Sequence, residues 1–211
     1  MNFSIISLNL GKIASLKAGQ RTVESAFGKS PVKSARLSES GFEGDEQADL
    51  KHHGGIDKAV CVFSTHHFPA FTKLLGYEMP LPSFGENFSV DKAEEEELFI
   101  GDVFKCGDVK LQISQPRQPC FKTGAFHKNN AVIKFMSDSG ATGFYFRVLN
   151  AGEVKEADVF ERVESDSLYS LKYANDLMYR RVKSEDELRE FISHKSLSAA
   201  WKEELGARLN K

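Results

Sequence analysis

The sequence changes character near residue 164, and this change constrains the fold more than any other feature. Up to about residue 163, short β-type runs alternate with Gly, Pro, Asp and Asn, a pattern typical of a β-barrel or a β-sandwich. Between residues 165 and 205 neither Gly nor Pro occurs, and apolar residues recur at helical spacing. We therefore expect a mainly β domain over residues 1–163 and a small three-helix unit over residues 164–211.

The clearest strand patterns lie in five segments of the first domain. They are FSIISLNL, KAVCVFS, ELFIGDVFKC, DVKLQIS and GFYFRVLNAGEV, and the third and fourth form a hairpin with a tight turn at Gly107-Asp108. One helix is expected among them, in HHFPAFTKLLGY, with Ser64 or Thr65 as its N-cap. The acidic run at residues 94–97 is interpreted as a solvated loop.

Three helices are expected in the second unit. They are SLYSLKYANDLMYRR, SEDELREFISH and SAAWKEELGARL, and the second begins with the capping-box spacing of Ser184 and Glu187. Residues 165–211 hold nine Lys or Arg against eight Asp or Glu, so the basic face of a DNA-binding helix-turn-helix is missing. We expect this unit to pack on the β-domain or to dock a protein.

Charge and hydropathy exclude several functional classes. The 211 residues allow a substantial core, and the formal net charge of −2 gives no reason to expect nucleic acid or an acidic membrane as a partner. The N-terminal residues lack the basic start of a signal peptide, and no apolar run is long enough for a membrane-spanning helix. The expected location is the cytoplasm.

Cys120 lies in the stretch QISQPRQPCFKTG, close to the cations Arg117 and Lys122. Pro116 cannot donate to a sheet, so the preceding strand is expected to end just before it. If Cys120 opens a short helix through FKTGAFH, with Pro119 at its start, the cations and the helix dipole would favour its thiolate. The alternative is a buried, inert cysteine.

The other two cysteines are interpreted as structural. Cys61 lies among apolar strand residues, and Cys106 lies at a hairpin end. Three cysteines without a CxxC pair also argue against a disulfide framework.

Residues 41–60 hold many polar groups between glycines. Glycines let a backbone approach a ligand closely, and histidines supply ligation or proton transfer near neutral pH. The polar residues of this segment are Asp45, Gln47, Asp49, Lys51, His52, His53, Asp57 and Lys58. The segment is either a binding site or a polar, glycine-rich connection. On a strand, His52 and His53 would face opposite sides, so only one of them is expected to face a pocket.

Several motifs together carry a family resemblance. In order along the chain, GDEQADLKHHGG with DKAV, then FGEN, IGD, SQPRQPC and TGFYFRVLNAGEV resemble the MOSC domain family, the molybdenum cofactor sulfurase C-terminal domains. The resemblance covers nearly the whole chain and is closest to the type with a C-terminal three-helix extension that carries a Trp near its end, as Trp201 is here. One departure is Ala157, where relatives commonly have a Gly before the Asp, and we expect a changed turn without loss of function.

The resemblance implies a barrel-like fold and a pterin-based molybdenum cofactor whose metal is held by one cysteine. Cys120 matches that cysteine, and a soft thiolate suits a sulfur-rich molybdenum centre. Arg117 suits the anionic phosphate of the pterin. The other polar groups expected to contribute to cofactor binding are Gln118, Asp45, Gln47, Asn87, His52 and Lys51.

Proteins of this type are associated with the reduction of N-hydroxylated compounds, including hydroxylaminopurine base analogues, to amines. The resemblance therefore implies a reductase that removes the N-hydroxyl oxygen as water and needs a proton donor near the metal. His53 is the expected proton donor or thiolate partner, with His52 as the alternative. Lys58, with Lys51 as its substitute, is expected to favour the thiolate and to orient the substrate oxygen.

Two other functions stay open on the sequence. The domain could carry the molybdenum cofactor or its sulfur without turning over substrate, or it could use Cys120 and His53 as a cofactor-free nucleophile and base. No GxGxxG fingerprint for NAD or flavin is present, so electrons are expected from a separate reductase, for which the three-helix unit is one docking place. The oligomeric state stays open.

Overall fold

The computed structural model describes residues 1–180 and 184–209, apart from the side chain of Lys51. Two predictions lie outside the described residues. They are the side chain of Lys51 as a candidate site group and Arg181 as the end of the first C-terminal helix. The strands are β1 Asn2–Gly11, β2 Ala14–Ala18, β3 Arg21–Ser25, β4 Lys29–Val32, β5 Ser34–Ser38, β6 Gly41–Phe42, β7 Val60–Ser64, β8 Phe88–Val90, β9 Val103–Cys106, β10 Val109–Pro116, β11 Phe144–Asn150, β12 Gly152–Lys155 and β13 Val159–Glu164.

Seven of these strands close into a barrel in the order β1-β13-β9-β10-β11-β7-β8. Closure comes from the antiparallel pairing of β1 with β13, in which Phe3 faces Phe160. The strand β4 extends the sheet beside β1, and β7 and β8 pair in parallel. The expected barrel fold is confirmed.

Phe160 lies at the centre of the barrel core. Its ring contacts those of Phe3, Phe88, Phe104 and Phe146 at centroid distances of 5.0 to 6.5 Å. All five side chains are at most 1% exposed, so the barrel interior is filled and leaves no room for a central channel. A ligand must therefore bind at the rim of the barrel.

The helices lie outside the barrel. They are α1 Leu50–His53, α2 Phe68–Leu75, α3 Phe121–His127, α4 Ala131–Ser139, α5 Leu171–Tyr179, α6 Glu185–Ser193 and α7 Ala199–Gly206, with 3-10 turns at Ile56–Lys58 and Thr65–His67. The three C-terminal helices are confirmed, and the Ser184 hydroxyl caps α6 by accepting from the Glu187 N–H. No helix within the described parts of the chain is both long and apolar enough to cross a membrane.

One hydrophobic core runs across the expected boundary at residue 163. Phe191 of α6 and Trp201 and Leu205 of α7 are fully buried, and they belong to the same cluster as the barrel residues. The expectation that the three-helix unit packs on the β-domain is confirmed.

The expected strand ELFIGDVFKC is wrong over its first six residues. Gly101 has a φ of 98°, and the buried Asp102 carboxylate accepts from the Phe99 N–H, so this part forms turns and the strand begins at Val103. The expected single run GFYFRVLNAGEV is interrupted after Asn150, because β12 leaves the barrel to pair with β5. The helix α4 was not expected.

The interpretation of residues 94–97 as a fully solvated loop is also wrong at Glu95. This carboxylate is buried, accepts from the Gly143 N–H at 3.0 Å and lies 2.7 Å from His67 Nε2. The pair fixes the loop against the start of β11, so Glu95 is a structural residue.

Ala157 occupies the left-handed region with a φ of 69°. An alanine there is strained by about 1 kcal/mol relative to glycine. Ala157→Gly is therefore expected to raise the free energy of unfolding by about 1 kcal/mol in urea denaturation. The matched control is Ala151→Gly, at an exposed residue without a positive φ, which should lower stability by up to about 1 kcal/mol. A destabilised Ala157→Gly variant would contradict the strain.

Candidate functional site

A pocket opens where β7, β10 and β11 lie side by side. Tyr145 on β11 is the direct cross-strand neighbour of Cys61 on β7 and of Gln115 on β10, and the chain leaves β10 at Arg117. The pocket contains about 590 Å³ of space including its open mouth, within the range of small-molecule sites. The candidate site residues that line it are Asp45, Gln47, His53, Lys58, Asn87, Arg117 and Cys120.

Cys120 is the N-cap residue of α3, which confirms the expected helix start. Its backbone is extended, its carbonyl accepts from the Thr123 N–H at 3.0 Å, and its thiol makes no capping bond. The expected position of Pro119 is shifted, because it precedes the cap, and β10 continues through Pro116 opposite Phe144. Pro116 tolerates this position because a carbonyl alone is enough for its part in the pairing. The half-buried thiol is thus held at the pocket by a stiff turn.

Arg117 is a buried cation without a carboxylate partner. It is 4% exposed, and its backbone N–H donates to the Gly143 carbonyl at 2.9 Å. Its guanidinium lies 5.7 Å from the ring centroid of Phe27, and Nη2 reaches Thr123 Oγ1 only at 3.5 Å. Nη1 is buried and has no hydrogen-bond partner within the described residues. Buried polar groups are normally paired, so this guanidinium is available to an anionic ligand from outside the chain.

The carboxylates of the pocket, in contrast, are occupied by the protein itself. Asp45 pairs with Lys29 Nζ at 2.5 and 2.6 Å and accepts from the Gly11 N–H and from Asn87 Nδ2. Asn87 also accepts from the Cys61 N–H at 3.1 Å. Asp45 and Asn87 therefore build the pocket wall, and their capacity for a ligand is limited.

The two other acidic residues at the pocket are paired as well. Asp49 caps α1 and lies 2.9 Å from His52 Nδ1, while Glu46 pairs with Lys12 at 3.0 Å. Lys122, which is 9% exposed, makes no ion pair within the parts of the chain that the structure describes. The unpaired charge in the pocket is thus cationic and suits an anion.

The two adjacent histidines lie in different surroundings. They lie on the short helix α1 and not on a strand, and His53 lines the pocket while the exposed His52 pairs with Asp49. Burial, together with the positive charges of Arg117 and Lys122, lowers the pKa of His53 to about 4. The imidazole is therefore neutral near pH 7 in the ligand-free pocket.

Lys58 lies in the 3-10 turn before β7, although it was expected at the start of the strand. Its ammonium donates to the His52 carbonyl at 2.7 Å, and burial lowers its pKa. This bond fixes Lys58 beside His53 on the same wall of the pocket. Gln118 does not line the pocket, because its amide donates to Glu204 Oε2 at 2.7 Å.

Besides Ser25, Ala26, Glu46 and Ala48, sequence reasoning missed four residues of the pocket. Cys61, interpreted as structural, faces it with a thiol whose pKa burial raises to about 11, and Tyr145 beside it keeps its phenol proton because burial raises its pKa. Phe27 and Lys29 complete the set. Strand alternation could not identify them, because the neighbours of a strand residue depend on which strands pair. FGEN contributes mainly structure, since the buried Glu86 accepts from the Phe84 N–H.

Comparison with known proteins assigns the family. The MOSC domain matches residues 49–161. YflK of Bacillus subtilis, an uncharacterized protein, is 38% identical over 202 residues, covering 95% of this chain and 91% of its own. YiiM of Escherichia coli is 30% identical over 200 residues, covering 93% and 88%. The chain belongs to the MOSC domain family.

The fold of this MOSC protein agrees with that of a solved relative. The crystal structure of YiiM from Geobacillus stearothermophilus superposes with a TM-score of 0.84 at 30% identity, covering 98% of this chain and 99% of that one. A Gibberella moniliformis protein named a reductase is 34% identical over 131 residues, which are 60% of this chain and 23% of that protein. The MOSC family is associated with molybdenum cofactor binding, and the function of this chain is therefore associated with that cofactor.

A substitution at Arg117 tests whether its charge has no partner within the protein. Replacing a buried, unpaired charge by an apolar side chain of similar size is neutral or stabilising. Arg117→Met should therefore keep or raise the free energy of unfolding of the ligand-free protein, by up to about 2 kcal/mol, while abolishing cofactor retention. Urea denaturation and pterin analysis of purified protein measure the two effects.

The matched control is Arg147→Met. Arg147 is less buried, with its side chain 19% exposed, and pairs with Asp57 at 2.7 Å and with Gln112 at 3.0 Å. Its loss should lower stability by about 1–3 kcal/mol. Equal destabilisation by the two substitutions would show that Arg117 has a protein partner after all.

The lowered pKa of His53 predicts a pH dependence of stability. Between pH 6.5 and about 4 the folded state binds fewer protons at His53 than the unfolded state. The stability of the ligand-free protein relative to His53→Gln should thus be constant above pH 6.5. It should fall by on the order of 1–2 kcal/mol as the pH drops towards 4, as measured by urea denaturation. Parallel stability curves for the two proteins would contradict the assignment.

Proposed function

We propose that this MOSC protein is a molybdenum cofactor-dependent reductase of N-hydroxylated compounds. The observation that carries the proposal is the buried Arg117 with an unpaired Nη1, in the same pocket as the thiol of Cys120. A soft sulfur ligand and an unpaired cation are the two groups that a cofactor with a thiophilic metal and a phosphate requires. The similarity to a protein named a reductase supports a redox reaction.

The residues present fit this cofactor. Cys120 would supply the sulfur ligand of the metal, while Arg117 and Lys122 would neutralise its phosphate. Asp45 and Asn87 would support the pocket wall by the bonds that they already make to Lys29 and Cys61. Gln47 at the wall remains available for a pterin edge.

The bound cofactor would supply the two-electron chemistry. In the overall reaction an N-hydroxylamine, two electrons and two protons give an amine and water, so the N–O bond breaks and its oxygen leaves as water. The chain contributes no dinucleotide fingerprint of its own, so we propose a separate reductase as the electron donor.

His53 would donate a proton and Lys58 would orient the substrate. Arg117 and Lys122 hold the imidazole neutral in the ligand-free pocket, and an anion bound to them removes part of that repulsion. The pKa of His53 would then rise toward neutrality, where a histidine can donate a proton to the leaving oxygen. Lys58, fixed on the His52 carbonyl, would orient the substrate oxygen.

A second candidate function is a carrier that binds the cofactor, or its sulfur, without turnover. It uses the same Cys120 and Arg117, so the pocket supports it equally, and only turnover separates the two. A cofactor-free thiol and imidazole pair is less well supported, because it gives the unpaired guanidinium of Arg117 no role.

Replacing the thiol tests the proposal. Cys120→Ala should lose nearly all molybdenum and pterin after purification from a molybdenum-replete host, because the metal loses its protein ligand. The matched control is Cys106→Ala, whose thiol is buried at the β9–β10 hairpin away from the pocket and which should retain the cofactor. Metal analysis and oxidised-pterin fluorescence measure both.

Turnover is then measured on the loaded protein, with 6-N-hydroxylaminopurine and a chemical electron donor. The reductase proposal expects amine formation that Lys58→Met lowers by about 10²-fold, the scale of a lost positioning group. Cofactor retention without amine formation would favour the carrier. If neither wild type nor Cys120→Ala retains cofactor, the result would favour the cofactor-free pair of Cys120 and His53.

A further inference from the structure

The C-terminal helix α7 contacts both sides of the pocket, although it contributes no lining residue. On one side Gln118, between Arg117 and Cys120, donates through Nε2 to Glu204 Oε2 at 2.7 Å. Gln118 also lies 3.8 Å from the sulfur of Met178 on α5. The turn that presents the guanidinium and the thiol is therefore tied to the C-terminal helices.

On the other side the start of α7 is bound to the 3-10 turn that carries Lys58. Asp57 Oδ2 accepts from the Ala199 N–H at 3.1 Å, and the Asp57 carbonyl accepts from the Ser114 hydroxyl at 2.5 Å. The Ser198 N–H, in turn, donates to the Ser114 carbonyl at 3.1 Å. Lys58 and Cys120 are thus connected through one helix.

The helix between these two contacts is firmly anchored. Trp201 and Leu205 are fully buried in the core that α7 shares with the barrel. This packing fixes the backbone at Glu204, one residue before Leu205, while its exposed side chain reaches Gln118; its charge also acts on Lys58, whose lowered pKa it partly restores. A carboxylate on a fixed backbone can define the position of the turn that binds to it.

We propose that α7 supports the pocket from outside and that Glu204 is a positioning residue. Through Gln118 it holds the turn at residues 116–120, so that Arg117 and Cys120 present their unpaired groups to the same ligand. The catalytic consequence rests on the proposed function, whereas the positioning of the turn is a property of the ligand-free protein.

The test exchanges the two partners. Glu204→Gln removes the charged acceptor, and Gln118→Glu places two carboxylates opposite each other. The double variant Gln118→Glu/Glu204→Gln restores a pair of one amide and one carboxylate, with the net charge of wild type. Glu203→Gln, an exposed neighbour on α7 without a side-chain bond in the described structure, is the matched control for charge.

The first measurement is hydrogen exchange of the backbone amides of residues 117–123 in ligand-free protein. Each single variant should exchange about fivefold faster there, the effect of one lost hydrogen bond, and the exchanged pair and Glu203→Gln should resemble wild type. The second measurement is cofactor retention, which should fall in the single variants and recover in the exchanged pair.

The outcomes separate the inference from the proposed function. Exchange rates in Glu204→Gln equal to those in Glu203→Gln would overturn the positioning role, as would faster exchange with undiminished cofactor retention. Recovery by the exchanged pair supports it, because a general loss of packing would not be reversed. Absence of N-hydroxylamine reduction in wild type would instead count against the proposed function and would leave the exchange result valid.

Discussion

The contacts of Phe160 with four other phenylalanines fill the barrel, whose closed strand order places the walls of the pocket. Because β7, β11 and β10 are neighbours in register, Cys61 and Tyr145 lie side by side and Arg117 follows immediately beyond them. A shift of one residue in any of these strands would turn its pocket side chain to the opposite face. The pocket is thus a consequence of barrel closure, and its geometry is as rigid as the aromatic core beneath it.

The charges of the pocket are arranged asymmetrically. Asp45 and Glu46 each pair with a lysine and Asp49 contacts His52, whereas Arg117 makes no ion pair with a carboxylate among the described residues. A protein selected for stability alone would not retain such a cation, since an apolar residue would pack as well without the cost of desolvation. Burial and the unpaired guanidinium together depress the pKa of His53, so an anion bound at Arg117, as the proposed function requires, would change both groups.

Local patterns predicted local structure well. The Ser184 cap of α6 and the start of α3 at Cys120 follow from residues within a few positions of one another, and both are present. Ser64, expected to cap α2, instead caps the 3-10 turn before it, and α2 begins after His67. The family resemblance identified Cys120, Arg117 and His53 as candidates, and these residues line one pocket. Their roles in catalysis stay predictions.

The contacts that could not be predicted from the sequence depend on pairing between distant segments. The proximity of Cys61 and Tyr145 arises from strands that are 80 residues apart, and Asp45 meets Lys29 only because both lie near the end of β1. Gln118 was expected in the pocket because it lies in the motif, yet its amide is bound by a residue 86 positions away. No local periodicity contains such information.

The seam of the barrel has a consequence for biosynthesis. Residues 2–4 pair with residues 159–161, so during synthesis β1 must wait for β13 before the barrel can close. Until then β1 exposes an unpaired edge, the condition under which nascent β-proteins associate wrongly or recruit chaperones. Closure of the barrel therefore follows the synthesis of β13.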